Sequence, residues 1–325
     1  MGGSRRTFFP VPEGFVPWWR LGRPQDWAAL FGRPGPVEIE IGPGTGERLV
    51  REAAAHPDRN YLGLELQWGR LARALERAAR AGCANVRGVL ADARFVLHRV
   101  AAPRSVDRVV ALFLDPWPKD RHEGRRLFGR AFQDLVASRL RDGGEVYLVT
   151  DHGPYADWIC EQARGGPLRA ERREIRPGFG TRFEEKWVDG GQERFHEIRL
   201  VKVRHPEVPV PEEVEVIRYP VSGFDPAGFA PRTVRGEATV AFKDVVYDPV
   251  RQRAMVRAVI VEPNLDQQLW IEIVRERKGW RVSPAEGCAF VPTPGLREAL
   301  AEVARAADRS AGAGGRRTED GGQGR

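Results

Sequence analysis

The 325 residues are 42% hydrophobic and 30% charged, a balance that can bury a sizeable core and a length that suits two domains. The formal charge of +7 and the isoelectric point near 9.7 favour an acidic partner such as nucleic acid. Arginine carries most of that charge, which suits phosphate recognition but equally follows from a GC-rich codon bias. Cys83, Cys160 and Cys288 are too far apart for a disulfide framework or a cysteine zinc site, no apolar run reaches membrane-spanning length, and residues 1–12 lack the apolar stretch of a signal peptide, so a cytoplasmic protein is expected.

Residues 1–36 are rich in Pro, Gly, Arg and Trp and read as an irregular basic arm, with Arg5, Arg6, Arg20 and Arg23 able to touch a polyanion and Trp18 and Trp19 able to pack on the domain that follows. From residue 37 short apolar runs alternate with helical periodicity. Strands are expected at 37–41, 60–64, 86–90, 106–114 and 144–150, and helices at 47–55, 69–81, 94–100, 127–139 and 155–163. A closing hairpin is expected at 188–203, around Gly190-Gly191. Such alternation implies a mostly parallel sheet covered on both faces, a Rossmann-like α/β domain over 37–204. Three prolines mark 205–212 as a linker. Beyond it, strands are expected at 214–219, 236–246, 254–261, 269–275 and 280–282, with a helix at 295–307, making 213–308 a smaller α+β or mostly β module. Residues 309–325 read as a disordered tail.

The first strand ends in Glu40-Ile41-Gly42-Pro43-Gly44-Thr45-Gly46-Glu47. Glycines at such a strand-to-helix turn let the backbone bend tightly and approach a ligand. A dinucleotide fingerprint wants a third glycine where Glu47 stands, and a carboxylate there would repel a pyrophosphate. A ligand bearing an ammonium, a sulfonium and a ribose diol suits carboxylates instead. Glu65 ends the second strand and can accept both ribose hydroxyls, and Asp92 follows the third strand and can take an adenine amino group. The arrangement resembles motif I of class I methyltransferases, which implies S-adenosylmethionine as cofactor, with Gly42, Gly44 and Gly46 beside it.

The fourth strand runs into Asp115-Pro116-Trp117-Pro118-Lys119-Asp120-Arg121-His122-Glu123-Gly124-Arg125-Arg126. An acid, two prolines and an aromatic form a rigid lip, and the basic residues after them can contact phosphates. Together with Thr150-Asp151 followed by Tyr155-Ala156, and with Thr181-Arg182-Phe183-Glu184, this stretch resembles the bacterial tRNA (guanine-N7)-methyltransferase family, in the family's order over residues 37–200. The resemblance implies methyl transfer to N7 of the guanine at position 46 in the tRNA variable loop. It assigns Glu40, Glu65, Asp92 and Asp115 to the cofactor pocket and Lys119, Arg121, His122, Arg125, Asp151, Thr181 and Glu184 to the guanine and RNA site, with Asp115 as the catalytic residue. Asp120 and His152-Gly153-Pro154 depart from the family's usual residues, and the chain after His205 lies outside its core.

A class I methyltransferase acting on another RNA site or on a small molecule is the alternative, and the basic loop after Trp117 argues against a small molecule. No His/Cys group has zinc spacing, and the carboxylates of the basic loop pair locally, so no metal is expected. tRNA is the expected partner, with no membrane and no obligate protein partner. In the C-terminal module Arg251, Arg253, Arg257, Arg275, Arg277, Lys278 and Arg281 could face RNA, while Trp270 and Trp280 suit its core.

Overall fold

The computed structural model describes residues 11–314 apart from Pro177, Thr181, Gln192 and Glu193. The chain divides into two compact units, residues 1–211 and 212–325.

In the first unit, α1 (Trp27–Phe31) precedes β1 (Val37–Ile41), α2 (Glu47–Ala55), β2 (Asn60–Glu65), α3 (Trp68–Arg80) and β3 (Val86–Leu90). A short α4 (Ala93–Phe95) continues as one wide turn over Val96–Val100 and leads to β4 (Val106–Leu112), α5 (Arg130–Arg139), β5 (Leu140–Thr150) and α6 (Gly153–Ala163). The unit closes with β6 (Leu168–Ile175), α7 (Arg182–Asp189) and β7 (Phe195–Lys202). The sheet runs β3-β2-β1-β4-β5-β7-β6. The first five of these strands are parallel neighbours, and β7 is antiparallel to both β5 and β6. This is the expected Rossmann-like methyltransferase sheet.

Burial explains the sequence pattern. All five residues of β1 are buried, as a central parallel strand requires. Leu71, Ala74, Leu75 and Ala78 form the buried stripe of α3. Along β4, β5 and β7, Ala111, Leu148 and Ile198 turn toward Tyr155 and Ile159 of α6. Tyr147 and Glu197 turn the other way, toward Arg48 and Arg51 of α2.

Several expectations are revised. The N-terminal arm holds α1, whose Trp27 indole donates to Ser105 Oγ at 3.1 Å. Trp18 packs edge-on against Phe95, whereas Trp19 is half exposed. Arg5 and Arg6 lie outside the described residues. β4 stops at Leu112 because Phe113 turns to φ +53° and sends its ring against Phe179 and Phe195. The hairpin expected at 188–203 is instead α7 followed by β7, which pairs with β6. β6 escaped detection because Arg169, Glu171, Arg172, Arg173 and Glu174 replace the apolar alternation with an edge-strand composition. The Pro-rich stretch read as a linker is packed on the first unit. Arg139, fully buried, donates to the carbonyls of Leu97 (2.7 Å), Val208 (2.8 Å) and Pro209 (3.5 Å). With no carboxylate of the described residues paired to it, burial pulls its pKa down to about 10.

His98 sits beside that arginine, its Nδ1 buried without a hydrogen-bond partner. Burial, then the charges of Arg99 and Arg139, lower its pKa from 6.5 to about 4. The folded state therefore binds this proton less readily than the unfolded chain. The associated stability is present above pH 6.5 and is lost as pH falls toward 4. Between pH 7 and pH 5 the wild type should lose about 1–2 kcal/mol more than His98→Gln in denaturant titrations. Equal losses in the two proteins would show that His98 is already solvated.

The second unit is an antiparallel sheet, β8 (Tyr219–Val221), β9 (Val234–Arg235), β10 (Thr239–Asp248), β11 (Arg253–Glu262), β12 (Leu265–Glu276) and β13 (Gly279–Pro284), in the order β8-β13-β12-β11-β10-β9, with α8 (Pro294–Gly314) packed on it. Ile260, Ile271, Ile273 and Val282 from the strands meet Leu296, Leu300 and Val303 from the helix in one core. The strand expected at 214–219 reduces to β8, where Pro220 is tolerated on an edge. α8 continues past the expected end because Ser310 accepts from Asp225 N at 3.0 Å and Arg309 pairs with Glu302 at 2.8 Å. Trp280 lies in the core. Arg253 and Arg281 are paired with Glu272, Arg257 with Asp244 and Arg251 with Asp248. Residues 212–325 hold 17 Lys and Arg against 17 Asp and Glu, so the excess of +7 resides in residues 1–211.

Candidate active site

The turn after β1 is built for close approach by a ligand. Gly42, Gly44 and Gly46 take φ values of +68°, +58° and +81°, a region that side chains disfavour. A Cβ on Gly46 would lie 2.7 Å from Ala74 Cβ, so this glycine lets α2 and α3 pack. A Cβ on Gly44 would meet nothing within 4 Å: this glycine faces open space, as a ligand-side position does. Glu47 accepts from Thr45 Oγ1 at 2.6 Å and pairs with Arg77 at 2.9 Å, so the sequence argument from its bare charge is softened.

Glu40 is buried and paired with Arg48 at 2.9 Å, and the same guanidinium reaches Glu38 at 2.8 Å. Burial raises the Glu40 pKa, while Arg48 opposes the shift. Burial likewise works against the Arg48 charge, yet Glu40 and Glu38 together hold its pKa above the ordinary value. Glu40, two residues before the glycine turn, is thus held by an ion pair that motif reading does not reveal. Glu65, at the end of β2, accepts through Oε1 from the N–H groups of Leu66 (2.8 Å) and Gln67 (3.0 Å), at the start of α3. Asp92 caps α4, accepting from Arg94 N at 2.7 Å. Glu40, Glu65 and Asp92 therefore sit on or just after three neighbouring strands, where open α/β sheets place ligands.

Asp115 follows β4 and is exposed. Leu114 lies against Gly42, 3.5 Å from where a Cβ would be, which brings the Asp115 lip beside the glycine turn. β5 delivers Thr150 and Asp151 at the same sheet edge, next to β4. The basic loop is held in shape from within. The Arg125 guanidinium lies 4.9 Å from the centre of the Trp117 ring, His122 meets that ring edge-on at 5.7 Å, and Arg121 Nε donates to His122 Nε2 at 3.3 Å. Arg126 donates to the carbonyls of Pro116 and Trp117, and Trp158 of α6 donates to Glu123 at 2.8 Å, tying the loop to the helix after Asp151. Lys119, Arg121 and Arg125 are exposed and His122 is half-buried. Among the described residues no group of His, Cys, Asp and Glu has metal-binding geometry.

Glu184 is buried, and its carboxylate accepts from the backbone N–H groups of Gly178, Phe179 and Gly180 at 2.5–3.0 Å. It locks residues 178–180 in place. Thr181, its expected companion, lies outside the described residues. Glu184→Gln leaves one of these donors facing an amide N–H. We expect kcat/KM for the nucleic-acid substrate to fall roughly tenfold with cofactor affinity unchanged, the loss of one or two charge-assisted hydrogen bonds. An unaltered kcat/KM would mean that the loop keeps its shape without the carboxylate.

Three features were missed in the sequence. His152 caps α6, its Nδ1 accepting from Tyr155 N at 3.0 Å, so this departure from the family pattern serves as a helix cap. His196 pairs in register with Thr150, and burial, reinforced by Arg172, lowers its pKa. Arg51 donates to Phe179 O at 2.6 Å, joining α2 to the Glu184 loop. Their partners are remote in sequence, and no spacing rule signals them.

The family model described as "Putative methyltransferase" matches residues 34–196. A tRNA (guanine-N(7)-)-methyltransferase of Thermus thermophilus is 34% identical over 266 residues, covering 79% of this chain and 84% of the relative. The chain belongs to the tRNA (guanine-N7)-methyltransferase family. Accordingly, it is a methyltransferase whose methyl donor is S-adenosylmethionine. The family's enzyme from Deinococcus radiodurans is 34% identical over 284 residues, covering 82% of this chain and 88% of its own. Residues 1–211 are under two thirds of the chain, so both alignments run into the second unit. Among solved structures, the 16S rRNA methyltransferase KamB aligns with a TM-score of 0.45 and 14% identity, over 56% of this chain and 96% of its own. No helix among the described residues is long and apolar enough to cross a membrane.

Proposed function

We propose that this protein methylates N7 of the variable-loop guanine, position 46, of tRNA in the cytoplasm. The observation that carries the reading is the Asp115–Arg126 lip, which the fold sets against the glycine turn through Leu114 and Gly42. Gly42, Gly44 and Gly46 offer the methyl donor a bare backbone, Glu65 accepts its ribose hydroxyls, Asp92 takes the adenine amino group, and Glu40 shapes the floor with Arg48. The open space at Gly44 suits such a ligand. When bound, S-adenosylmethionine supplies an electrophilic methyl group on a sulfonium.

Guanine N7 has a lone pair and no proton to lose, so its attack on the methyl carbon requires no general base. Methyl transfer from the sulfonium would leave the positive charge on the purine, where a carboxylate of this chain can offset it. Positioning supplies much of the rate. Asp115 accepts from guanine N1–H and N2–H, orients the ring and offsets the cation that develops on it. Lys119, Arg121, His122, Arg125, Asp151, Thr181 and Glu184 hold the surrounding RNA and base. A guanine engaged in tertiary contacts must be exposed first, akin to extruding a base.

The test is methyl transfer from labelled S-adenosylmethionine to unmodified tRNA, with strand cleavage at N7-methylguanine. Cleavage at the variable-loop guanine, abolished when that base is adenine, is the expected outcome. Labelling at another nucleotide would redirect the assignment to a different RNA site.

A further inference from the structure

A recess of about 330 Å³ opens over β4, β5, β7 and β6, on the sheet face that looks toward α2. Its walls include Arg51, Arg108, Arg173 and Arg199, with Glu145 and Glu197 at its base. The charges are layered. The carboxylates lie low, Glu197 5% and Glu145 18% exposed, while Arg173 and Arg199 above them are 71% and 46% exposed. Glu197 takes Nε and Nη2 of Arg173, and Glu145 takes the same two nitrogens of Arg199. Those grips fix each guanidinium plane. A guanidinium has five N–H donors, so two spent on a carboxylate leave donors for a second anion. Solvent therefore meets pre-aligned guanidiniums above buried acids.

We propose that this recess is a second tRNA contact, binding backbone phosphates away from the methylated base. The inference rests on the tRNA reading above. Arg51 ties the recess wall to the Glu184 loop through Phe179 O at 2.6 Å, so an RNA seated at that loop continues over the recess. The unit that bears it carries the whole net charge of +7, whereas the second unit is balanced. Phosphodiesters fit a rigid guanidinium pair with no sequence preference.

The experiment uses the full chain and unmodified tRNA. Binding is measured as a function of KCl, alongside KM for tRNA, kcat, S-adenosylmethionine affinity and thermal midpoint. In Arg173→Ala/Arg199→Ala the magnitude of the log–log salt slope should fall by roughly 2, one per lost phosphate contact, and tRNA affinity about tenfold. kcat and cofactor affinity should stay at the wild-type level. Arg173→Lys/Arg199→Lys keeps both charges and should restore the slope, which a merely structural role would not do. If the double alanine variant is unstable, Arg173→Ala alone carries the test, with a slope change of about 1. An unchanged slope and KM, in variants of a wild type that methylates tRNA, would overturn the proposal and leave the function intact. A wild type that methylates no tRNA would instead remove the reading on which the proposal stands.

Discussion

Asp115→Asn is expected to lower kcat for tRNA methylation by about 10²–10³-fold, the usual cost of removing one electrostatic stabiliser of a transition-state charge. The substituted amide keeps the size of the side chain and one acceptor oxygen. In the proposed arrangement it loses the negative charge that would offset the purine cation, and it turns an N–H₂ toward guanine donors. Asp115 is exposed and outside any strand, so the fold should tolerate the change. The discriminating measurement is single-turnover methyl transfer at saturating tRNA and S-adenosylmethionine, with cofactor binding measured separately. A depressed chemical rate with normal cofactor affinity assigns Asp115 to the developing charge. A near-normal rate with a raised KM for tRNA would reduce it to a binding contact.

Gly46→Ala is expected to weaken S-adenosylmethionine binding about hundredfold. Its φ of +81° is strained for any residue with a Cβ, and that Cβ would stand 2.7 Å from Ala74 Cβ and 2.9 Å from Ala74 Cα. The left-handed backbone costs about 1–2 kcal/mol, and overpacking against a helix costs about 1–3 kcal/mol. Neither α2 nor α3 can yield without shifting the turn they flank, so the roughly 3 kcal/mol is relieved by displacing residues 42–46, a hundredfold in affinity. Gly44→Ala is the control. Its Cβ meets no protein atom within 4 Å, so only the left-handed backbone at φ +58° costs stability, about 1–2 kcal/mol, and the thermal midpoint should fall less than in Gly46→Ala while cofactor affinity still falls. Isothermal titration with S-adenosylhomocysteine and thermal unfolding of both variants separate the cases. Normal affinity in Gly44→Ala would move the ligand off this turn.

Features that depend on neighbours along the chain were legible before the fold was known. Short, largely apolar runs alternating with periodic helices implied a parallel sheet covered on both faces, and the two glutamates that interrupt β1 are buried beside Arg48, which pairs with both. Glycines at a strand-to-helix turn, acids at successive strand ends and the Asp115–Arg126 stretch were legible because turn geometry and strand polarity place them at one edge whatever else the chain does. Tertiary structure decided how those residues are partnered. Glu40 pairs with Arg48, eight residues on, and Glu184 spends its carboxylate on backbone N–H groups. β6 forms because an exposed, charged edge strand can pair with the buried β7 without any apolar alternation of its own. The acids beneath Arg173 and Arg199 come from different strands, β7 and β5. Net charge told only that the protein is basic. The layering of carboxylates under guanidiniums arises when the sheet is assembled, since strands distant in sequence set which charge is buried and which meets solvent.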